Sequence, residues 1–195
     1  MSQTLPQRKR PVHMPPVERH NEPVILFVTI GTQPRVPVFA NERFHGAFVS
    51  ACGDADAWTV GKYMIMPDHL HLFCGPARWP RIGIKRWAAY LKERITKRLN
   101  ASMAGEAAPS RGPVTDNGSA QPRPPSAQPR PPSAQLRPPS VRAWKWQSDC
   151  WDTQIRSGKH YREKWEYVRQ NPVRKELVET PEDWLWQGEL NVLRW

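Results

Sequence analysis

Met64-Ile65-Met66-Pro67-Asp68-His69-Leu70-His71-Leu72-Phe73 decides how the rest of the chain is read. Two apolar runs meet at a Pro-Asp pair, and those residues supply the fixed φ and the backbone-capturing carboxylate that a turn needs. The pattern predicts a strand from Trp58 to Met66, a turn at Pro67-Asp68, and a second strand from His69 to Cys74 that closes at Gly75-Pro76. Side chains alternate sides along a strand. Leu70 and Leu72 therefore face a core, and His69 and His71 stand side by side on the opposite face. Neutral imidazole is a common metal ligand, and two rings at this spacing can approach one cation without distorting the backbone. The same spacing also suits two histidines on a polar sheet face that hold nothing.

Working outward, Val24-Ile25-Leu26-Phe27-Val28-Thr29-Ile30 is a β-branched and aromatic run ended by Gly31, which reads as a buried strand. Asn41 is placed to cap a helix through Phe44, Phe48 and Val49 that ends before Gly53, with a loop at Asp54-Ala55-Asp56. From Arg81 to Asn100 the apolar positions Ile84, Ala88, Leu91, Ile95 and Leu99 recur every three to four residues, the period of an amphipathic helix. Trp144 and Trp146 alternate with polar residues as on a fourth strand, which continues to Ile155. Ser157-Gly158 breaks it. A helix is expected from about Lys159 to Gln170, stopped at Asn171-Pro172 because the residue before proline is pushed out of the helical region. Thr180-Pro181-Glu182-Asp183 opens a turn or short helix, and Trp184, Trp186 and Trp195 beyond it are expected to pack back on the core.

Between these segments lies a different kind of sequence. Residues 101–142 are rich in Ala, Ser, Gly and Pro and carry a repeat: Ser119 to Pro125, Ser126 to Pro132, and Ser133 to Pro139 with Leu136 replacing a proline. Such a tract offers few ladder hydrogen bonds and little apolar area, so it reads as a disordered, polyproline-like linker. Residues 1–22 read as a flexible basic arm. Residues 23–195 then form one domain interrupted by the linker.

With 38% hydrophobic residues among 195, the chain has material for one globular core, and no apolar run is long enough to cross a membrane. The first ten residues are basic with no apolar segment behind them, unlike a secretory signal. Cys52, Cys74 and Cys150 make no regular ladder, which argues for a reducing compartment. A cytoplasmic protein is expected. The formal net charge of +11 points to a polyanion, most simply nucleic acid. That surplus is regional: Arg81 to Asn100 holds seven bases and one acid, Glu93, whereas Val141 to Trp195 holds ten bases and nine acids. Arg81, Lys85, Arg86, Lys92, Arg94, Lys97 and Arg98 are the expected backbone contacts, joined by Arg8, Lys9 and Arg10 of the arm.

On the helix after Lys159, Tyr161, Trp165 and Val168 share the apolar stripe, while His160, Glu163, Lys164, Tyr167 and Asn171 fall on the other side. Tyr161 reads as structural and Tyr167 as presented. A tyrosine among polar groups can attack phosphorus and keep the bond energy as a phosphotyrosine, and Asn171, one turn on, can offer an amide oxygen to a cation.

Taken together, Met66-Pro67-Asp68-His69-Leu70-His71-Leu72, Trp151-Asp152 with Ile155-Arg156, Tyr161-Arg162, and Tyr167 followed by Asn171-Pro172-Val173 resemble the REP-associated tyrosine transposases, a branch of the single-tyrosine HUH transposases. The resemblance runs from about Val24 to Trp186 without the proline tract. It departs at Cys150, where the family often has an aromatic residue, and at Thr153, where it often has histidine or another polar residue. It implies an α+β fold, a four- to five-stranded antiparallel sheet flanked by helices in the HUH, ferredoxin-like manner. It also implies a divalent-metal endonuclease and strand transferase for single-stranded DNA, with palindromic repeat hairpins as substrate. By that resemblance His69 and His71 are metal ligands, Asn171 is the third, and Tyr167 is the nucleophile. Two imidazoles alone would also suit zinc, but the resemblance implies Mg2+ or Mn2+. It implies a bacterial, nucleoid-associated monomer or homodimer with no nucleotide cofactor. Two other readings stay open: a catalytically idle DNA-binding protein of the same fold, and a zinc module using His69, His71 and Cys74.

Overall fold

The elements of the computed structural model are, in chain order, β1 (Leu26–Gln33), α1 (Glu42–Asp54), β2 (Trp58–Met66), β3 (His69–Pro76), α2 (Ile84–Glu106), β4 (Lys145–Trp146), β5 (Trp151–Gln154), α3 (Gly158–Arg169), α4 (Asn171–Arg174) and β6 (Gln187–Glu189). A single 3-10 turn covers Pro181–Asp183. The structure describes residues 11–13, 15–17, 23–77, 82–106 and 144–194. The repeat tract, Arg8, Lys9, Arg10 and Arg81 lie outside them.

All pairings are antiparallel, and the strand order is β4-β1-β3-β2-β6, with β5 also on β1. The expected hairpin is β2–β3, with Met66 opposite His69 and Met64 opposite His71. A register shift between Val60 and Tyr63 marks a bulge that sends Tyr63 to one face and leaves Lys62 on the other. The expected fourth strand is a broken one. Its two pieces, β4 and β5, lie along the same edge of β1, linked by an irregular stretch that still bonds to β1 through Gln147 N–H to Gly31 C=O at 2.8 Å.

Register assigns the two faces. Val28, Ile30, Leu70 and Leu72 point to the side covered by α1 and α2, where they meet Phe44, Phe48, Ala51, Trp87, Leu91 and Ile95 in the main core. Each such aliphatic side chain, fully buried, contributes roughly 1.5–3 kcal/mol. Asn41 caps α1 as expected, its side chain accepting from Phe44 N–H. α2 runs six residues past the expected end at Asn100. The added residues begin with Ala101 and Ser102, and Ser102 Oγ both donates to Leu99 C=O and accepts from Arg43, which holds the extra turn in place.

The other face carries Phe27, Thr29, His69, His71, Phe73, Met64 and Met66, and α3 lies against part of it. The stripe of α3 packs as read: Tyr161 on Phe73 and Ile25, Val168 on Met64 and Met66, with Trp165 touching both groups. Ser157 caps α3. Its end at Arg169 agrees with the Asn171-Pro172 stop, yet the chain does not leave the helical path: proline at the start of a helix loses no intrahelical bond, and α4 adds one turn.

Two features were not expected. Gln187–Glu189 adds a sixth strand on β2, with Gly188 opposite Tyr63, whose hydroxyl would stand 2.7 Å from a Cβ at that position. The described parts of the arm are also docked on the sheet edge. Val17 exchanges two backbone bonds with the Gln154 amide, and His13 bridges the carboxylates of Asp149 and Asp152.

Candidate functional site

β3 holds His69 and His71 on the face opposite the main core, and their Nε2 atoms converge to 3.1 Å with the rings nearly perpendicular, at 84°. Each ring is fixed by its other nitrogen. His69 Nδ1–H donates to Asp68 Oδ1 at 2.6 Å, and Arg35 donates to the second oxygen of that carboxylate at 2.9 Å. His71 Nδ1 bonds Thr29 Oγ1 at 3.0 Å, because β1 puts Thr29 directly opposite. The His71 ring also stacks on Phe27, 5.3 Å between centroids.

The electrostatics keep the His71 ring neutral. Burial, reinforced by the charges of His69, Arg35 and Lys164 and opposed by Asp68, pulls it down to about 3. Burial pushes the Asp68 carboxyl up, but the His69 hydrogen bond and charge, with Arg35, outweigh it and hold the group at about 2. The result is an ionised carboxylate behind one ring and a lone pair available on the other. Carboxylate and hydroxyl partners on the outer nitrogens are the arrangement that orients metal-binding histidines. Two donors about 2.1 Å from an octahedral cation and at right angles stand about 3 Å apart, so the pair fits a divalent ion.

α3 brings Tyr167 to the same face. Its side chain is 59% exposed. Lys164 Nζ sits 5.2 Å from the Phe27 ring and 5.8 Å from the Tyr167 ring, so a single ammonium bridges the ring stacked on His71 and the phenol. The Arg174 guanidinium lies 4.1 Å from the centroid of the same phenol ring and donates to Tyr167 C=O and to Asn171 Oδ1. Asn171 is thus close to Tyr167, with its amide oxygen engaged by Arg174. Tyr161 is a different case. Its hydroxyl is buried with no partner and burial, followed by the charge of Glu189, pushes it up to about 12, which suits a packing residue.

The cations expected to bind DNA are arranged differently. α2 packs on the far face of the sheet from the histidines. Lys92 is only 6% exposed and spends its ammonium on the backbone carbonyls of Gln147 and Asp149, so it has no face for a phosphate. Arg94 and Arg98 converge on Asp54, Lys85 pairs with Asp149 at 2.9 Å, and Lys97 pairs with Glu93 at 2.6 Å. Arg86 is exposed. Sequence reasoning missed Arg35, Lys164 as a bridge, and Arg174. Arg35 was recoverable once β1 was paired with β3, since the residues after β1 must then lie beside the Pro67-Asp68 turn.

The zinc reading with Cys74 is overturned. Cys74 pairs with Leu26 and points into the main core, away from both imidazoles. Among the described residues, one other group could hold a metal: His13, Cys150 and Asp152, whose donor atoms lie within 4.8 Å of one another. These donors already satisfy each other. Both His13 nitrogens face carboxylates, and burial pushes the Cys150 thiol up to about 12.

The class so defined is an α+β domain with a paired-histidine site on the partly open face of an antiparallel sheet. The structure of a REP-associated tyrosine transposase bound to a REP hairpin has this fold: it aligns over 89% of this chain and 82% of its own, with a TM-score of 0.53 at 16% identity. A putative transposase from Deinococcus radiodurans aligns over 81% of this chain and 97% of its own, with a TM-score of 0.39 at 14% identity. No family model and no curated protein matches the sequence. No helix among the described residues is long and apolar enough to cross a membrane.

Proposed function

We propose that this chain is a metal-dependent endonuclease and strand transferase for single-stranded DNA, acting on palindromic repeat hairpins in transposition, with Tyr167 as nucleophile. The observation that carries the reading is the convergence of His69 and His71 Nε2 on the face where Tyr167 is exposed, linked through Phe27 and Lys164. The hairpin bound to the transposase of like fold supports the substrate class.

His69 and His71 would hold Mg2+ or Mn2+, with Asn171 joining once Arg174 releases its amide oxygen. The ion would supply charge stabilisation at a non-bridging phosphate oxygen. The chain's own groups do the rest. Lys164 and Arg174 hold the phosphate backbone beside the phenol and offset the negative charge that gathers there. The Tyr167 hydroxyl loses its proton and its oxygen attacks phosphorus, while the bond from phosphorus to the 3′-oxygen breaks and that oxygen leaves as a 3′-hydroxyl. A 5′-phosphotyrosine remains, and a second 3′-hydroxyl can reverse the step without ATP because the number of phosphoester bonds is unchanged. Arg86, exposed on the far face, suits a more distant segment of the DNA, while Lys85 and Lys97 are answered by Asp149 and Glu93.

The test is a covalent adduct. Labelled hairpin DNA with Mn2+, denatured and run on a gel, is expected to stay attached to the wild-type protein and not to Tyr167→Phe. The engagement of Asn171 by Arg174 favours a second reading, a DNA-binding protein that does not cleave. Equal DNA retention by both proteins with no adduct from either would leave that reading standing.

A further inference from the structure

Trp151 is the one exposed tryptophan among the described residues, at 45%; the others are buried or half-buried. A single exposed ring is ordinary on a protein surface. Its position is not. In the sheet register Thr29 lies between His71 on β3 and Trp151 on β5, so the three side chains form one row across the same face. Adjacent strands are about 4.8 Å apart, which puts the tryptophan and histidine positions about 10 Å apart, a span of one to two extended nucleotides.

The backbone fixes which way the ring points. Cys150 before it is sealed in the main core, and Asp152 after it points to the same side, where it bonds His13. Asp149 accepts from Cys150 N–H at 2.9 Å and braces the approach to β5. Trp151 therefore cannot turn inward without breaking those contacts. Thr153, the next residue on its face, is exposed too, so this part of the sheet is uncovered.

We propose that Trp151 is the stacking platform for one unpaired nucleobase, the base next to the phosphate that lies between His71 and Tyr167. The proposal rests on the single-stranded DNA reading above and adds a base subsite to it. Lys164, over the Phe27 ring on the strand between the histidine strand and the tryptophan strand, attracts the sugar-phosphate chain, and the indole takes the base from the same nucleotide stretch. Stacking recognises the π-face that every base has, so the subsite contributes affinity and register with little sequence choice.

The probe is a single-stranded oligothymidylate in which one thymidine is replaced by 5-iododeoxyuridine, used with the full chain at fixed low salt. Irradiation is expected to cross-link the oligonucleotide to the peptide containing Trp151, mapped by mass spectrometry. Equilibrium binding should weaken about tenfold in Trp151→Leu, which keeps apolar area without a ring, and stay within about threefold in Trp151→Phe. Circular dichroism confirms that both variants fold, as substitution of an exposed side chain should allow. Wild-type binding with a cross-link elsewhere, or Trp151→Leu binding as tightly as wild type, overturns the subsite and leaves the single-stranded DNA reading in place. No binding of the oligothymidylate by the wild-type chain overturns the subsite, and no binding of a repeat hairpin with an unpaired flank overturns the single-stranded DNA reading as well.

Discussion

The two faces of the sheet are built from the same strands and do opposite work. On one, Val28, Ile30, Leu70 and Leu72 meet α1 and α2 in a sealed core, and the charges of α2 at its rim are answered by Asp54, Asp149 and Glu93. On the other, α3 covers only part of the surface, and Lys164 and Arg174 are turned toward aromatic rings. Charge alone does not mark a binding surface. A cation with a carboxylate within 3 Å adds little net field, whereas one held over a ring beside two histidines keeps its pull on an anion.

The contrast can be broken by substitutions one residue apart. His71→Ala is expected to lower adduct formation by at least about 100-fold, read on the denaturing gel, with a smaller loss of stability than its neighbour causes. Leu72→Ala should cost about 2–5 kcal/mol in urea unfolding and leave adduct yield per folded molecule near wild type. If the two variants behave alike, the division of labour between the faces is wrong. A smaller effect is expected from Asp68→Asn, which keeps the shape and removes the charge behind His69: about a tenfold loss of Mn2+ affinity, measured by titration calorimetry, with the urea midpoint little changed. The smallest is no effect at all. Burial pushes the Cys52 and Cys150 thiols up to about 12 and Cys74 well above its usual value, so iodoacetamide at about pH 8 should leave all three unlabelled in the folded protein and label them in urea.

Local signals were legible in the sequence. The period-two run through His69 and His71, the Asn41 cap and the Tyr161-Trp165-Val168 stripe each depend on residues within a few positions of one another, and each formed as read. What stayed hidden depends on partners far along the chain. The strand at Gln187–Glu189 has no alternation of its own and exists because β2 offers an edge. Lys92 looks like any helix-surface cation until β4 and β5 bring the carbonyls of Gln147 and Asp149 to its ammonium. The arm read as flexible because its composition is polar, basic and proline-bearing, whereas His13 is held by two carboxylates from the segment around β5. At the site, the histidines and the exposed tyrosine were readable, but Arg35 and Arg174 were not, since their roles come from the β1–β3 pairing and from the turn of α4.

Thr29 gives the site a property that no carboxylate in its place could. A hydroxyl donates or accepts with a twist about one bond, so His71 can present Nε2 with its proton, shared with His69, or without it, and no heavy atom has to move. The state of Nε2 is thereby set by one torsion angle, and a valine at this position, equal in shape, would remove the bond that holds the ring and with it the switch of tautomer.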